Sequence, residues 1–327
     1  INKEIQLEET SGWKRLSELE KKNIILRLEE LKPDAIGLTC LSHALSLAEE
    51  VAGVIRQHFN IPIIIGGVGA ITEPQRAIGF TNLVCTGEGE QIILEIAERI
   101  DSNQPLSDIK GTLFKQADGN IQHNGKAPLS DLSSIALPNY DPQNYTYING
   151  WRFEREVPHN HRDPDKSFQI MTQRGCPFSC TFCIESYLQN EFGKKEHLRR
   201  TSVDRAIAEL KYAKDQLGFE SIAFWDDVFP INPDWLDEFL PRYKAEIGLP
   251  FFCYTYPSTT KPQILAKLKE AGCRTITMGI QSGSERILHD VFDRRTKRTQ
   301  VLSAANVLIE SGIPFAHVDL IPKTAFD

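Results

Sequence analysis

Arg174-Gly175-Cys176-Pro177-Phe178-Ser179-Cys180-Thr181-Phe182-Cys183 is the stretch that decides the fold of this chain. Its three cysteines follow an apolar, strand-like segment and have the spacing C-x-x-x-C-x-x-C. Thiolates are soft ligands, and iron–sulfur clusters are among the few centres that sulfur alone holds. Three thiolates leave one iron of a four-iron cubane without a protein ligand. The spacing therefore favours a cluster that can bind and activate a small molecule.

Zinc and disulfides are the alternatives for such a group of cysteines. Structural zinc requires a closed set of four ligands, and His197, the nearest candidate for the fourth, has a spacing that fits no common zinc pattern. A disulfide framework is disfavoured because the triplet is odd and no secretory signal is visible. Zinc, or buried cysteines without a metal, stays open beside the favoured cluster.

At these residues the sequence resembles the radical S-adenosylmethionine (SAM) superfamily, whose signature is C-x-x-x-C-Φ-C with an aromatic Φ, here Phe182. The local form is most similar to members that also carry a cobalamin-binding domain. The resemblance implies a [4Fe–4S] cluster whose open iron binds SAM through its amino and carboxylate groups. The implied ligands of that cluster are Cys176, Cys180 and Cys183.

The resemblance also implies SAM contacts beyond the cysteine loop. Asp226-Asp227 follows an apolar strand at the place where the family meets the amino group of SAM, and the sequence does not choose between the two carboxylates. A turn or a helix cap is the alternative there. Gln281-Ser282-Gly283 is similar to the family's E/Q-S-G element near the SAM ribose, with a simple glycine turn as its alternative. Phe182 completes the expected SAM contacts.

In the first hundred residues, short apolar strands alternate with helices, which predicts a doubly wound, Rossmann-like parallel sheet. Helices are expected at 13–31, 42–58 and 91–100 with a short one after Pro74, and strands at 35–39, 61–65 and 82–85. Ligands of such sheets bind at the carboxyl ends of the strands. Three loops of small residues or glycines lie there, at Thr39-Cys40-Leu41, Gly66-Gly67-Val68 and Gly87-Glu88-Gly89. Alone they indicate a ligand site or merely tight turns.

These loops resemble those of the cobalamin-binding domains of B12-dependent radical SAM enzymes. Thr39 and Leu41 match the family's S-x-L element with Thr in place of Ser, and Gly66-Gly67 matches its double glycine. The resemblance implies that the three loops hold cobalamin. The family's D-x-H-x-x-G loop is expected before residue 1 or absent, since both ends of the chain are interpreted as incomplete. His43 is interpreted as a surface residue at a helix start.

Asp118-Gly119 between strand-like runs predicts a hairpin, and residues 124–166 are expected to be an ordered linker without periodicity. From Phe168 onward five further strands alternate with helices, which predicts a partial (β/α) barrel with its chemistry at the carboxyl ends of the strands. The expected fold is thus α/β. Its parts are a cobalamin-binding Rossmann-like domain at 1–110, a hairpin and linker at 111–166, and a radical SAM barrel at 167–327.

The bulk composition narrows the class of protein. The net charge of −7, from 37 basic and 44 acidic residues, gives no electrostatic footprint for nucleic acid or an anionic membrane. No apolar run reaches the length of a membrane span, and a cytoplasmic, reducing location is expected. The basic pairs Lys194-Lys195 and Arg294-Arg295 are expected to be solvated surface. Four more cysteines lie in or beside strands and are interpreted as packing residues, namely Cys40, Cys85, Cys253 and Cys273.

The activity implied by the resemblance starts with one electron from a flavodoxin- or ferredoxin-like donor, which cleaves SAM to methionine and a 5′-deoxyadenosyl radical. That radical takes hydrogen from an unactivated carbon of a small-molecule or peptide substrate, methylcobalamin supplies a methyl group, and a second SAM regenerates it. A cyclase or rearrangement enzyme would leave the same marks. A non-catalytic cobalamin or iron–sulfur module is the alternative from another class. Hypothetical substrate contacts are Tyr254, Tyr256 and His317.

Overall fold

The computed structural model describes residues 4–7, 15–156 and 166–322. The chain divides into two compact units, one of Ile1–Ser130 with Pro138–His159 and one of Asp131–Leu137 with Asn160–Asp327. Residues 131–137 are held in the second unit by polar contacts with one helix. The Ser202 backbone N–H donates to Ser133 Oγ over 2.9 Å, and Arg205 Nε donates to the Ile135 carbonyl over 2.9 Å.

The first unit contains eight strands and five helices within the described residues. The strands are β1 (Glu4–Leu7), β2 (Ile36–Thr39), β3 (Ile63–Gly66), β4 (Leu83–Cys85), β5 (Thr112–Lys115), β6 (Ile121–His123), β7 (Tyr145–Asn149) and β8 (Arg152–Arg155). The helices are α1 (Glu18–Leu31), α2 (Leu45–His58), α3 (Val68–Thr72), α4 (Pro74–Phe80) and α5 (Gly89–Asp101), with 3₁₀ turns at Ser42–Ala44 and Pro142–Asn144.

The main sheet of this unit has the order β2-β3-β4-β5-β6. Strands β2, β3 and β4 are parallel, with Ile36 beside Ile63 and Ile64 beside Leu83. Strand β5 runs antiparallel to β4, and β6 antiparallel to β5. The three strands predicted for this sheet are parallel as expected, and the predicted hairpin forms. The hairpin was expected after the first domain, but it extends the sheet, because its strands supply the hydrogen bonds that the edge of β4 would otherwise lack.

Local sequence explains the parallel core. β3 is a run of β-branched residues whose members at 63–65 are each at most 3% exposed, as expected for a strand that is covered on both faces. Helix α2 covers it with a buried stripe at helical spacing, and this spacing is what the sequence predicted. The buried stripe consists of Leu45, Leu47, Ala48, Val51, Ala52, Val54 and Ile55.

Three local features differ from the expectations. Helix α1 begins at Glu18 and not at residue 13, because Ser17 and Glu20 form a reciprocal capping box that fixes the start; residues 13 and 14 lie outside the described residues. Helix α3 was not predicted. The stretch interpreted as a linker contains β7 and β8, which pair with each other, and β7 also pairs in parallel with β1.

The second unit contains seven strands and six helices within the described residues. The strands are β9 (Ser167–Ile170), β10 (Gln173–Arg174), β11 (Arg199–Arg200), β12 (Ser221–Phe224), β13 (Phe251–Thr255), β14 (Cys273–Gln281) and β15 (Phe315–Leu320). The helices are α6 (Ile184–Phe192), α7 (Lys194–His197), α8 (Val203–Asp215), α9 (Pro233–Arg242), α10 (Pro262–Ala271) and α11 (Arg298–Ser311). A 3₁₀ turn lies at Phe229–Ile231, and π-helical turns lie at Tyr243–Ile247 and Ile287–Val291.

The prediction of five parallel strands is confirmed here. Their order β9-β12-β13-β14-β15 follows the chain, and all four pairings are parallel. On the helix-covered face, Phe224 is fully buried and its ring centroid lies 4.4 to 5.9 Å from four other aromatic rings. Because the strands are parallel, the loops that follow β9, β12, β13 and β14 come together at one edge of the sheet.

No helix within the described ranges combines the length and the apolar character that crossing a bilayer requires.

Candidate active site

The cysteine loop leaves β9 and is held by one side chain of the helix that follows it. Gln189 of α6 donates to the carbonyls of Cys176 and Phe178, the latter over 2.8 Å, and accepts a hydrogen bond from Ser179 Oγ over 3.1 Å. Farther along, Ser186 Oγ donates to the Cys180 carbonyl over 2.6 Å. Buried side-chain donors and acceptors thus replace the regular backbone pairing that an irregular loop lacks, and they fix its path.

Each cysteine sulfur of the loop has an N–H group near it. The backbone N–H groups of Phe178 and Glu185 lower the pKa of Cys176 and of Cys183, respectively, and Arg294 Nη1 lies 3.7 Å from Cys180 Sγ. Cys176 and Cys180 are buried, and Cys183 is half-buried at the start of α6. Such donors stabilise a thiolate more than a neutral thiol, so the loop suits three anionic sulfurs.

Burial opposes this charge in the absence of a metal. Desolvation raises the pKa of Cys176 to about 12, against the lowering effect of the Phe178 N–H, and it also raises the pKa of Cys183. Metal binding displaces the thiol proton and supplies the missing positive charge, so the donor set fits a cluster of iron and sulfide. Within the described ranges, no three His, Cys, Asp or Glu side chains are grouped to hold a single metal ion.

Arg294 is a site residue that the sequence did not reveal. It is 5% exposed, and its guanidinium lies 4.1 Å from the centroid of the Tyr256 ring, which in turn stacks on Phe178 of the cysteine loop at 3.9 Å and 15°. The expectation of solvated surface is wrong for Arg294 and holds for Arg295, whose side chain is 86% exposed. Because the two residues are adjacent and of the same type, nothing in the sequence shows which of them is buried.

The same stack changes the interpretation of Tyr256. Its ring is covered by Phe178 and by Arg294, and its hydroxyl is hydrogen-bonded to Thr296 Oγ1 over 2.7 Å. Protein groups thus cover Tyr256, and its contact with the substrate stays a hypothesis. The other hypothetical contacts are more open, with Tyr254 half-buried and His317 exposed.

Asp226 and Asp227 lie beyond the end of β12 and differ sharply in surroundings. Asp226 is fully buried; its carboxylate accepts from Thr172 Oγ1 over 2.9 Å and from the Gln173 backbone N–H. These bonds tie the end of β12 to the end of β9. Desolvation raises the pKa of Asp226 to about 6, although Arg200 and the two hydrogen bonds lower it.

Asp227 is exposed, in contrast to Asp226. Desolvation raises its pKa to about 7, and the carboxylates of Glu185 and Asp226 add to the increase, while His197 opposes it. Its carboxylate is therefore the one of the pair that is open to a cationic ligand.

The third expected SAM element is a tight turn at the end of β14. Gln281 has a φ of +67°, the Ser282 N–H donates to the Ile280 carbonyl over 2.9 Å, and Gly283 has no neighbouring atom within 4 Å of a built Cβ. Phe182 is 42% exposed, and its ring packs edge-on against Phe292 at 4.8 Å. The turn and the ring both leave surface available to a ligand.

In the first unit, the three predicted loops do follow the carboxyl ends of β2, β3 and β4. Gly67 has a φ of +84°, and a Cβ there would lie 2.7 Å from Thr39 Oγ1 and 2.8 Å from the Cys40 carbonyl oxygen. Close loop packing explains this glycine without a ligand. Leu41 is 53% exposed and a Cβ on Gly89 would meet nothing within 4 Å, so an apolar and unobstructed surface remains at this edge.

The remaining residues of these loops have protein partners or are partly covered. Glu88 accepts a hydrogen bond from the Ser130 N–H over 2.9 Å, which fixes the loop after β4. Cys40 is buried, and four other members are half-buried, namely Gly66, Gly67, Val68 and Gly87.

The contribution of the buried Asp226 carboxyl to the free energy of unfolding is expected to depend on pH, and Asp226→Asn should remove that dependence. Because the pKa in the folded state is about 6 and the ordinary value is 3.8, the folded state holds the proton more tightly, so the stability contributed by Asp226 is complete below pH 4 and is lost as pH rises through 6. The stability of the unaltered protein relative to Asp226→Asn should fall by up to about 3 kcal/mol over that window. Denaturant unfolding of both proteins at several pH values measures it, and a constant difference would contradict the assignment.

Comparisons with known proteins agree with this geometry. Residues 170–324 match the radical SAM superfamily. An uncharacterized methyltransferase of Pyrococcus horikoshii is 29% identical over 269 residues, which cover 80% of this chain and 54% of that protein. Cytidylyl-2-hydroxyethylphosphonate methyltransferase of Streptomyces wedmorensis is 25% identical over 83% of this chain and 54% of its own length.

A third relative belongs to a different reaction class. Anaerobic magnesium-protoporphyrin IX monomethyl ester cyclase of Rubrivivax gelatinosus is 23% identical over 91% of this chain and 52% of its own length. The chain thus spans about half the length of the curated relatives it matches.

Among solved structures, the cobalamin-dependent SAM radical enzyme OxsB superposes with a TM-score of 0.72 at 18% identity, over 92% of this chain and 42% of its own. The radical SAM methyltransferase TsrM of Kitasatospora setae superposes with a TM-score of 0.69 at 19% identity, over 91% of this chain and 58% of its own. At such identities the likeness establishes a shared fold. Residues 170–324, which contain the cysteine loop at the carboxyl edge of five parallel strands, are thus similar to the radical SAM superfamily.

Proposed function

We propose that this protein is a cobalamin-dependent radical SAM methyltransferase that acts on an unactivated carbon of a small-molecule or peptide substrate. The observation that carries the proposal is the set of three thiols, each with an N–H group near it, at the strand edge where Asp227 is open to a ligand. The electron donor that this chemistry requires is a flavodoxin- or ferredoxin-like protein.

Cys176, Cys180 and Cys183 would hold a [4Fe–4S] cluster, which when bound supplies an electron and an open iron for reductive cleavage of SAM. The chain's own residues position the substrate sulfonium. We assign the recognition of the SAM amino group to Asp227, because the Asp226 carboxylate already accepts hydrogen bonds from Thr172 and Gln173. An ammonium beside Asp227 also stabilises the ionised carboxylate and so lowers its raised pKa.

Phe182, Gln281, Ser282 and Gly283 complete the proposed SAM surface. The half-exposed Phe182 ring offers an apolar wall beside the cluster cysteines, and Gly283 in the turn at 281–283 allows close approach to the backbone, since a Cβ there would meet nothing within 4 Å. Burial of two of the three sulfurs limits the access of water to the reacting group.

Cobalamin is assigned to the edge of the first unit formed by the loops after β2, β3 and β4. The residues that would contact it are Thr39, Cys40, Leu41, Gly66, Gly67, Val68, Gly87, Glu88 and Gly89. The exposed Leu41 and the unobstructed Gly89 support the assignment, because a bulky cofactor needs apolar surface and close approach to the backbone. Further support comes from the shared fold with cobalamin-dependent enzymes over 92% of the chain.

A cobalamin-dependent cyclase is the second candidate, and the 23% identity to a cyclase of Rubrivivax gelatinosus favours it. The two functions differ in the fate of SAM. Both release 5′-deoxyadenosine, whereas methylation also requires a methyl group from SAM and therefore releases S-adenosylhomocysteine.

The experiment is anaerobic reconstitution with iron, sulfide and hydroxocobalamin, followed by desalting and incubation with SAM and dithionite. We expect retained cobalamin absorbance, 5′-deoxyadenosine, and S-adenosylhomocysteine from a single turnover with reduced cobalamin. Retained cobalamin with 5′-deoxyadenosine but no S-adenosylhomocysteine would favour the cyclase. A loaded cluster with no retained cobalamin would contradict the assignment of the first unit.

A further inference from the structure

Arg294 is a buried cation. It is 5% exposed, and among the described residues no carboxylate lies within ion-pair distance of it. Its Nη2 donates to the Gly279 carbonyl, its Nη1 lies 3.7 Å from Cys180 Sγ, and its Nε has no hydrogen-bond partner within the described part of the chain. A buried charge is costly unless an anion or several hydrogen bonds compensate it, so the position of Arg294 calls for a negative group nearby.

The nearest group that can supply this charge is the Cys180 sulfur. The guanidinium cannot lose its proton in a protein, so it is a permanent cation. Its orientation is fixed on three sides by the Tyr256 ring, the Gly279 carbonyl and the Cys180 sulfur. Tyr256 is in turn held by Phe178 of the cysteine loop and by Thr296. Arg294 is thus aimed at one sulfur by a rigid stack and not by a flexible surface contact.

We propose that Arg294 sets the reduction potential of the cluster by donating an N–H···S hydrogen bond to Cys180 and by placing a permanent positive charge beside it. The inference rests on the proposed role of Cys180 as a cluster ligand. Reduction adds negative charge to the cluster, and a nearby cation stabilises the more negative state, so Arg294 raises the potential. Arg294 acts through Cys180 and is a positioning and tuning residue.

The first test compares cluster potentials in the absence of SAM. Arg294→Gln should lower the ratio of reduced to oxidised cluster at a fixed solution potential about tenfold, which for a one-electron couple is about 59 mV. Arg294→Lys keeps the charge but loses the planar fork, so its change should be smaller. Arg295→Gln is the matched control, since it removes the same charge from an exposed neighbour and should leave the ratio unchanged.

Iron content and the EPR amplitude of the reduced cluster are measured on the same samples. A potential for Arg294→Gln equal to that of the unaltered protein, at full iron content, would overturn the inference while leaving the cluster assignment intact. Loss of the cluster from Cys180→Ala is the separate check on that assignment.

A second readout is made on the unaltered protein, so it can be used even if Arg294→Gln does not assemble a cluster. Protein that contains ¹⁵N-labelled arginine should show a ¹⁵N hyperfine coupling in pulsed EPR of the reduced cluster. The coupling should be lost in Arg294→Lys and kept in Arg295→Gln. A labelled, loaded and unaltered protein without any such coupling would refute the hydrogen bond.

Discussion

Replacing Cys176, Cys180 or Cys183 singly with alanine is expected to abolish cluster assembly and, with it, the release of 5′-deoxyadenosine from SAM. Each thiol lies in the loop held by Gln189, and each has an N–H group near it. Loss of an outer partner of a metal ligand already costs roughly 10- to 100-fold in metal affinity or activity, so loss of a ligand should exceed 100-fold. Iron analysis, visible absorbance and product assay measure the effect.

Cys253→Ala is the matched control. Cys253 is fully buried in β13, and burial holds the pKa of its thiol well above the ordinary range, so it is a packing residue. Its replacement should cost stability through a small cavity and leave the iron content unchanged. Full iron and SAM cleavage in any one of the three loop variants would contradict the three-cysteine ligand set.

The regular elements of both units could be predicted because their signals are local. Buried β-branched runs, helical spacing of apolar residues and glycine at helix ends each depend on a few neighbouring residues. Gly272, for example, ends α10 with a φ of +111°, the left-handed conformation typical of a glycine directly after a helix. The five parallel strands of the second unit follow chain order, so predicting the strands also predicted their sheet.

Pairings between distant segments could not be predicted. β1 pairs with β7 across more than a hundred residues, and the hairpin of β5 and β6 joins β4 through backbone hydrogen bonds that any sequence can form. Backbone pairing depends on which edges come together, and no residue pattern within either segment records its partner.

The candidate site shows the same division. The cysteine loop could be recognised from the sequence, because its signal consists of the types of its residues and their spacing. Asp226 and Asp227 differ in burial and hydrogen bonding. Because they are adjacent residues of the same type, the sequence gives no sign of that difference. Arg294 and Arg295 differ in the same way. Position 67 requires a glycine in the structure, but the reason is the packing of one loop on another.

Gly175→Ala is expected to have the largest effect of any single methyl group added near the site. Gly175 has a φ of +89°, which an L side chain adopts only with strain of about 1 to 3 kcal/mol. In addition, a Cβ there would lie 2.7 Å from the His197 carbonyl oxygen and 2.9 Å from its carbon. The contact is with backbone, so rotation of a side chain cannot relieve it.

The His197 backbone cannot easily move away either. Its N–H donates to the Gly193 carbonyl over 2.8 Å, and its buried ring is hydrogen-bonded to Glu185 over 2.9 Å. The cysteine loop must therefore shift instead, and Cys176 is the next residue. We expect Gly175→Ala to lose about 3 kcal/mol or more of stability and most of its bound iron.

Gly218→Ala separates strain from collision. Gly218 has a φ of +70° in an exposed turn, and a Cβ there would meet nothing within 4 Å. This control should lose only about 1 kcal/mol and retain its iron. Denaturant midpoints and iron content of the two variants form the comparison. Equal losses in both would mean that backbone conformation alone decides the effect, and that the close approach of Gly175 to His197 does not hold the cysteine loop in place.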